Sequence, residues 1–224
     1  MQRPIGTNHK QNQMKEMNHM KKISCTLLNR AFLAAVLAGL PALYAQGATT
    51  EFKTEPDKAM AAAQESFAKG DLKAASADLT KAGDFVRKQS GEVAADSKAG
   101  LKSAADELDK LGAGVKNGTV KSAAEMKMTF AKVDHEIAAS WHKTALEYKS
   151  AGKDSTAALN QAGRALDNSA KWSGQQLSEG AKASVEAVKK ASKAVGEGVK
   201  AGADQVDQWF KGIGDGIADL GKKL

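Results

Sequence analysis

The sequence predicts an all-α protein: an elongated antiparallel bundle of three or four long helices over residues 54–176, followed by an amphipathic C-terminal helical extension over 177–224. Three observations predict this fold. Apolar residues recur at three- and four-residue spacing through most of the chain. A glycine followed by an acid, in Gly70-Asp71 and again in 152–154, ends one helix and caps the next. Much of the apolar fraction is alanine, which buries little surface, so we expect a lean bundle.

The start of the chain predicts export. Positively charged residues precede an apolar stretch, Ala31–Leu40, and Ala45 offers a small residue for cleavage. An apolar run of about ten residues is much shorter than the ~20 that a membrane-spanning helix needs, which argues against an anchor. We therefore predict an export signal over 1–45, with translation starting at Met20 and cleavage near Ala45. A flexible leader over 46–53 is predicted to follow. The mature protein is expected in the periplasm if the host has an outer membrane, and otherwise outside the cell.

Removal of this signal changes the charge and the cysteine content. The whole chain has 33 basic and 26 acidic residues, but the part after residue 45 keeps 27 and 25, a net charge of +2. Such a balance gives no basic surface for nucleic acid, so nucleic acid is not expected as a partner. The single cysteine, Cys25, lies in the predicted signal. The mature chain is therefore expected to hold together by helix packing without disulfides.

The first two predicted helices form a hairpin. Thr54 as an N-cap, with Asp57 three residues later, predicts the start of a helix whose inner face carries Met60. The second helix begins at Leu72, and its rhythm weakens in a polar stretch bracketed by two glycines, 91 and 100, where we expect a kink or a break. The hairpin 67–85 resembles the helix-turn-helix of a tetratricopeptide unit, over this segment only.

The next two helices carry the strongest apolar patterns. Ser122 and Glu125 have the spacing of a capping box, which predicts a third helix that continues to Ala151. One stripe of this helix is apolar: Met126, Phe130, Val133, Ile137, Trp141 and Tyr148. A fourth helix is predicted to begin near Ser155. Its inner face holds Leu159, Ala162, Leu166, Ala170 and Leu177.

A second face of the third helix carries Met128, His135, His142 and Leu146. The simplest interpretation makes both histidines exposed or half-buried polar residues. A second makes this face an interface with another helix of the bundle or of a second subunit, and protonation of the imidazoles near pH 6 would then loosen the contact. No cofactor is expected.

A third interpretation is a metal- or haem-binding bundle that uses His135, His142 and, for haem, Met60 as an axial ligand. Seven residues place the two histidines about 10 Å apart along the helix axis, too far to chelate one ion. The helical positions next to each histidine hold no useful ligand, so other ligands would have to come from another helix or chain.

The C-terminal extension is the strongest functional lead. Its apolar residues keep a helical rhythm, eight glycines interrupt it, and eight lysines nearly balance seven acids. A helix of this composition depends on a surface to fold against. The predicted partner or membrane face comprises Val185, Val188, Val195, Val199, Val206, Trp209, Phe210, Ile213, Ile217 and Leu220.

In its apolar rhythm and poor helix propensity, this extension resembles exchangeable amphipathic-helix proteins of the apolipoprotein type. Three coverings remain open: the extension packs on its own bundle, on a protein partner or second copy, or peripherally on a membrane. Without a polybasic excess, lipid binding would rest on apolar burial.

Known catalytic motifs are absent from the sequence: it has no phosphate-binding loop, nucleophile elbow or HExxH. The acid pairs Asp106-Glu107 and Asp134-Glu136 are predicted to lie among lysines on solvated helix surfaces, without a pocket to shift their pKa values. We therefore expect a non-enzymatic exported protein that acts through protein or membrane surfaces, in a structural, stress-protective or envelope-associated role.

Overall fold

The computed structural model describes residues 55–196 and 202–224, and within them the protein is all-α, as predicted. Seven α-helices and no strand lie in these ranges. The helices are α1 Glu55–Ala68, α2 Leu72–Gln89, α3 Lys98–Lys116, α4 Ala123–Ser150, α5 Thr156–Ser173, α6 Glu179–Gly196 and α7 Ala203–Gly221. The predicted signal, the leader and Val199 lie outside the described residues. The finer prediction of three or four long helices in an elongated bundle is not confirmed.

The two glycine-acid turns form as predicted. Gly70 (φ +79°) and Gly152 (φ +67°) adopt the left-handed conformation that favours glycine, and each ends a helix. Asp71 then caps α2 by accepting a hydrogen bond from the backbone N–H of Ala74 at 2.9 Å. Asp154 accepts from the N–H of Thr156 at 2.8 Å, at the start of α5. These turns join α1 to α2 and α4 to α5 as hairpins.

The weak middle of the predicted second helix is a break. The chain leaves helical geometry after Gln89, passes through a short 3₁₀ turn, Ala95–Ser97, and resumes as α3. Gly91 and the polar residues around it supply little helix propensity, so two packed helices replace one long one. The capping box at the start of α4 also forms, because Ser122 accepts from the N–H of Glu125 at 3.2 Å and the Glu125 carboxylate accepts from the N–H of Lys121 at 3.1 Å.

The C-terminal extension is two helices that fold back on the bundle. α6 packs on α5, and α7 packs on α4, α5 and α6. α4 is the central helix, because it contacts α1, α3, α5 and α7. Its predicted apolar stripe is buried from Met126 to Trp141, with Tyr148 partly buried at the end. No helix in the described ranges combines the length and the apolar character that crossing a membrane requires.

Candidate functional site

The two histidines of α4 contact the backbone of α7. His135 Nε2 lies 2.9 Å from the carbonyl oxygen of Ile217, and His142 Nε2 lies 3.1 Å from that of Phe210. A carbonyl oxygen only accepts hydrogen bonds, so each Nε2 must carry the proton and donate it. Both histidines are half-buried, as the simplest interpretation of this face expects, and the helix that they contact belongs to the same bundle.

Glycines on α7 make room for both imidazole rings. A Cβ on Gly214 would lie 3.1 Å from His142 Cε1, and a Cβ on Gly221 would lie 2.8 Å from His135 Nε2. Two glycines seven residues apart therefore face two histidines seven residues apart. The numbering runs in opposite directions along the two helices, so α7 lies antiparallel to α4 and each ring meets the α7 backbone directly.

The opposite side of α7 is packed just as closely. A Cβ on Gly216 would lie 2.7 Å from Ala181 Cβ and 2.8 Å from Leu166 Cδ2. A Cβ on Gly212 would collide with Ser184 Oγ and would lie 2.8 Å from Ser184 Cβ. Contacts under 3.0 Å are closer than real Cβ atoms tolerate. The glycines of α7 therefore allow the helix to fit between α4, α5 and α6.

The predicted partner or membrane face is turned largely inward in this structure. Phe210, Ile213 and Leu220 of α7 are buried, as are Val185 and Val188 of α6. Val206, Trp209 and Ile217 are partly buried against the same core. The side chain of Val195 lies outside the described part of the chain. Of the three coverings that the sequence left open, packing on the chain's own bundle is the arrangement seen here.

Two apolar residues of the α4 histidine face remain outside this interface. Met128 and Leu146 are 39% and 43% exposed, the large exposed hydrophobic residues of the described ranges. α7 covers the two histidines between them but not these two ends of the face. The predicted second interface on α4 is therefore divided into a covered centre and uncovered ends.

Charge and burial act together at one end of the interface. Lys149 of α4 pairs with Asp207 of α7, and its ammonium lies 5.2 Å from the centroid of the Phe210 ring. The imidazole of His142 packs beside the same ring, with centroids 5.7 Å apart. Burial lowers the pKa of His142, because desolvation disfavours the charged imidazolium more than the bond to the Phe210 carbonyl favours it.

This burial predicts that acid loosens α7. His142 is more readily protonated in the open chain than in the folded one, so its stabilising effect is complete above its ordinary pKa of 6.5 and declines as the pH falls below that value. Hydrogen exchange of α7 amides, measured from pH 8 to pH 5 and corrected for intrinsic rates, should show opening that increases with acid. His142→Gln keeps an N–H donor but does not titrate, and this variant should lose most of that increase; an unchanged increase would contradict the prediction.

The contacts give the metal and haem interpretation no support. The Nε2–H of each histidine donates to a separate backbone carbonyl, and Met60 is fully buried in the core. Across residues 55–196 and 202–224, no group of three or more His, Cys, Asp or Glu side chains is arranged to hold a metal ion.

A buried acid pair is the feature that sequence reasoning missed. Asp57 of α1 and Asp134 of α4 are only 3% and 1% exposed, and their carboxyl groups interact with each other. Asp57 Oδ1 and Asp134 Oδ2 are buried without a hydrogen-bond partner. Asn168 of α5 interacts with Asp57, and Trp172 of α5 interacts with Asp134. Burial raises the pKa of Asp57 to about 6 and raises that of Asp134 well above its ordinary value, with Asp57 itself adding to the second shift.

The prediction that Asp134 lies on a solvated surface is therefore wrong. Its neighbour in that prediction, Glu136, is exposed, as expected. The helical register could have predicted the burial of Asp134, because this residue lies four residues after Phe130 and three before Ile137, on the buried stripe of α4. Asp57 likewise lies three residues before the buried Met60. Register places both acids inside, whereas residue type alone places them outside.

Comparisons with known protein families, with curated proteins and with solved structures find no match for this chain.

Proposed function

We propose that this is a non-enzymatic exported helical protein that acts through protein or membrane surfaces, and that α7 is the surface through which it acts. The observation that carries the proposal is the α7 interface itself. An amphipathic helix is seated on its own bundle through glycine contacts and two histidine bonds, with its apolar residues turned inward. Structural, stress-protective and envelope-associated roles all fit a protein of this kind.

The composition of α7 favours exchange between surfaces. Gly212, Gly214, Gly216 and Gly221 lie within its 19 residues. Each glycine is about 1 kcal/mol less favourable than alanine in a helix, so packing has to offset roughly 4 kcal/mol of poor propensity. Such a helix is stable only where its apolar side is covered. A protein groove or a lipid interface that covers Phe210, Ile213 and Leu220 equally well can therefore replace the bundle.

The charges of α7 indicate what kind of surface it meets. Residues 202–224 contain four aspartates and three lysines, and Lys211 is paired with Asp215 at 2.6 Å. Binding to lipid would rest on apolar burial without preference for anionic headgroups. A protein partner or a second copy of the chain offers the same apolar cover in a groove between helices. Nucleic acid is not proposed as a partner.

Tethering α7 tests whether it must leave the bundle. In a chain with Cys25→Ser, the paired residues are replaced as Lys149→Cys and Asp207→Cys and joined with a short bis-maleimide. The linked protein, recovered from the exporting host, should lose flotation with zwitterionic vesicles and crosslinking to envelope proteins, while the unlinked variant keeps one of these activities. Loss of flotation identifies lipid as the surface, and loss of crosslinking identifies protein.

A matched control places the same linker within α7. Lys211→Cys and Asp215→Cys lie one helical turn apart on its exposed side, so their link leaves α7 free to move. This protein should behave like the unlinked chain. Full activity of the 149–207 linked protein in both assays would overturn the proposal, as would absence of both activities from the unlinked chain.

A further inference from the structure

Three helices meet at the buried acid pair. α1 contributes Asp57 from its first turn, α4 contributes Asp134, and α5 contributes Asn168 and Trp172. Both acids are buried where α1 packs on α4, and each has a carboxyl oxygen that no hydrogen-bond donor reaches. Two ionised carboxylates buried side by side repel each other and lack compensation, so such a pair is stable only when it holds a proton.

No nearby cation neutralises the carboxyl pair in place of that proton. Lys171 of α5 is the cation that acts on Asp57, and its ammonium is already paired with Asp167 at 2.7 Å. No charged side chain of α2, the other helix that α1 packs on, acts on the pair among the described residues. With the two carboxyls only 3% and 1% exposed, water cannot screen their repulsion.

We propose that Asp57 and Asp134 form a proton-binding site that fastens α1 to α4 and α5, and that loss of the shared proton releases α1. The site is independent of the function proposed for α7, because α7 contacts α4 through the histidine face. The ligand is the proton itself. In the closed form the proton is bound and α1 is packed on α4 and α5; in the open form the proton is lost and α1 is released.

The direction of the pH dependence follows from linkage. Both carboxyls bind protons more tightly in the closed bundle than in the open chain, where Asp ionises near its ordinary pKa of 3.8. Their stabilising effect is complete below that value and declines as the pH rises through about 6 and beyond. Above pH 6 the closed form keeps a proton at Asp134 that the open form has lost, until the pH reaches the raised pKa of Asp134. Over that range each pH unit should increase the opening of α1 by up to about tenfold.

Hydrogen exchange of α1 amides in the full chain, from pH 6 to pH 8, tests the proposal, with α3 as the internal reference and intrinsic rates removed. The opening of α1 relative to α3 should increase with pH in the unmodified protein, by up to about tenfold per pH unit. Asp134→Asn replaces the shared proton with a permanent amide donor, so its opening should change less than about twofold over the same range. Asp78→Asn is the matched control, because Asp78 contacts α1 through Ser66 at its other end, and it should keep the full dependence.

A second measurement reads the proton without depending on how a variant folds. The infrared C=O band of a protonated carboxyl group should persist at pH 7 in the unmodified protein and in Asp78→Asn, and should be missing from Asp134→Asn. Absence of this band from the unmodified protein at pH 7 overturns the proposal. A pH-independent α1 in the unmodified protein, or an unchanged slope in Asp134→Asn, overturns it as well.

Discussion

Replacing Gly212 and Gly216 together by alanine is expected to undock α7 and to lower the free energy of unfolding by up to about 4 kcal/mol. The Cβ added at 216 meets Ala181 Cβ and Leu166 Cδ2 at less than 3.0 Å. The Cβ added at 212 meets Ser184 and, at 3.0 Å, the backbone oxygen of Gly180. Each overpacked methyl costs about 1–3 kcal/mol, and the helix propensity gained from alanine, about 1 kcal/mol each, offsets only part of that cost.

Gly180→Ala is the matched control, because a Cβ at that position of α6 meets nothing within 4 Å. This variant makes the same chemical change without a clash and should be at least as stable as the unmodified protein. Urea unfolding followed by tryptophan fluorescence measures the stability, and hydrogen exchange of α7 measures the docking. A double variant that is fully stable, with α7 still protected, would contradict the close packing of α7.

Much of the fold could be predicted from the sequence, because helical periodicity is a local property. The stripe of α4 that begins at Met126 and Phe130 is buried, and the glycine-acid turns at Gly70 and Gly152 lie where local chemistry places them. The break near Gly91 was predicted as a kink or a break, since propensity alone does not decide between the two. Packing decides it, because each of the two shorter helices can turn its own apolar side toward the core.

The covering of α7 could not be predicted in the same way. An amphipathic helix shows which of its sides needs cover but not what covers it. The distances that seat Gly216 against Ala181, or Gly221 against His135, join residues that are far apart in the sequence. The pairing of Asp57 with Asp134 is equally non-local. Register indicated that each acid was buried, but only the packing of α1 on α4 brings the two together.

Asp134 and His142 of α4 make contacts that depend on protonation in opposite directions. Asp134 points to α1 and holds it through a shared proton, while His135 and, one heptad later, His142 point to α7. Acid strengthens the first contact by keeping the carboxyl pair protonated. Acid weakens the second, because protonation of His142 opposes its burial. A fall in pH should therefore fix α1 and loosen α7 within one bundle, without a general loss of stability.

Phe130→Ala should cause the largest loss of stability among single substitutions, about 3–5 kcal/mol. Phe130 is fully buried, and its ring meets the edge of Trp172 with centroids 4.9 Å apart. Removing the ring leaves a cavity beside α5 and frees the indole. Small domains are stable by about 5–15 kcal/mol, so this loss is a large part of the total. Phe130→Leu fills most of the space and should cost far less. Phe85→Ala, at a partly buried ring, is the matched control for losing an aromatic side chain.

The same substitution should also weaken the proton site, because Phe130 packs against Trp172, whose side chain interacts with Asp134. Once the indole moves, water reaches the carboxyl pair, and hydration removes the main cause of its raised pKa values. Urea unfolding of Phe130→Ala at pH 6 and pH 8 should therefore show a smaller difference in stability than the unmodified protein shows. Phe85→Ala should keep the full difference. If Phe130→Ala lowers stability equally at both pH values and leaves that difference intact, the aromatic contact supports the core alone and does not keep the acid pair dry.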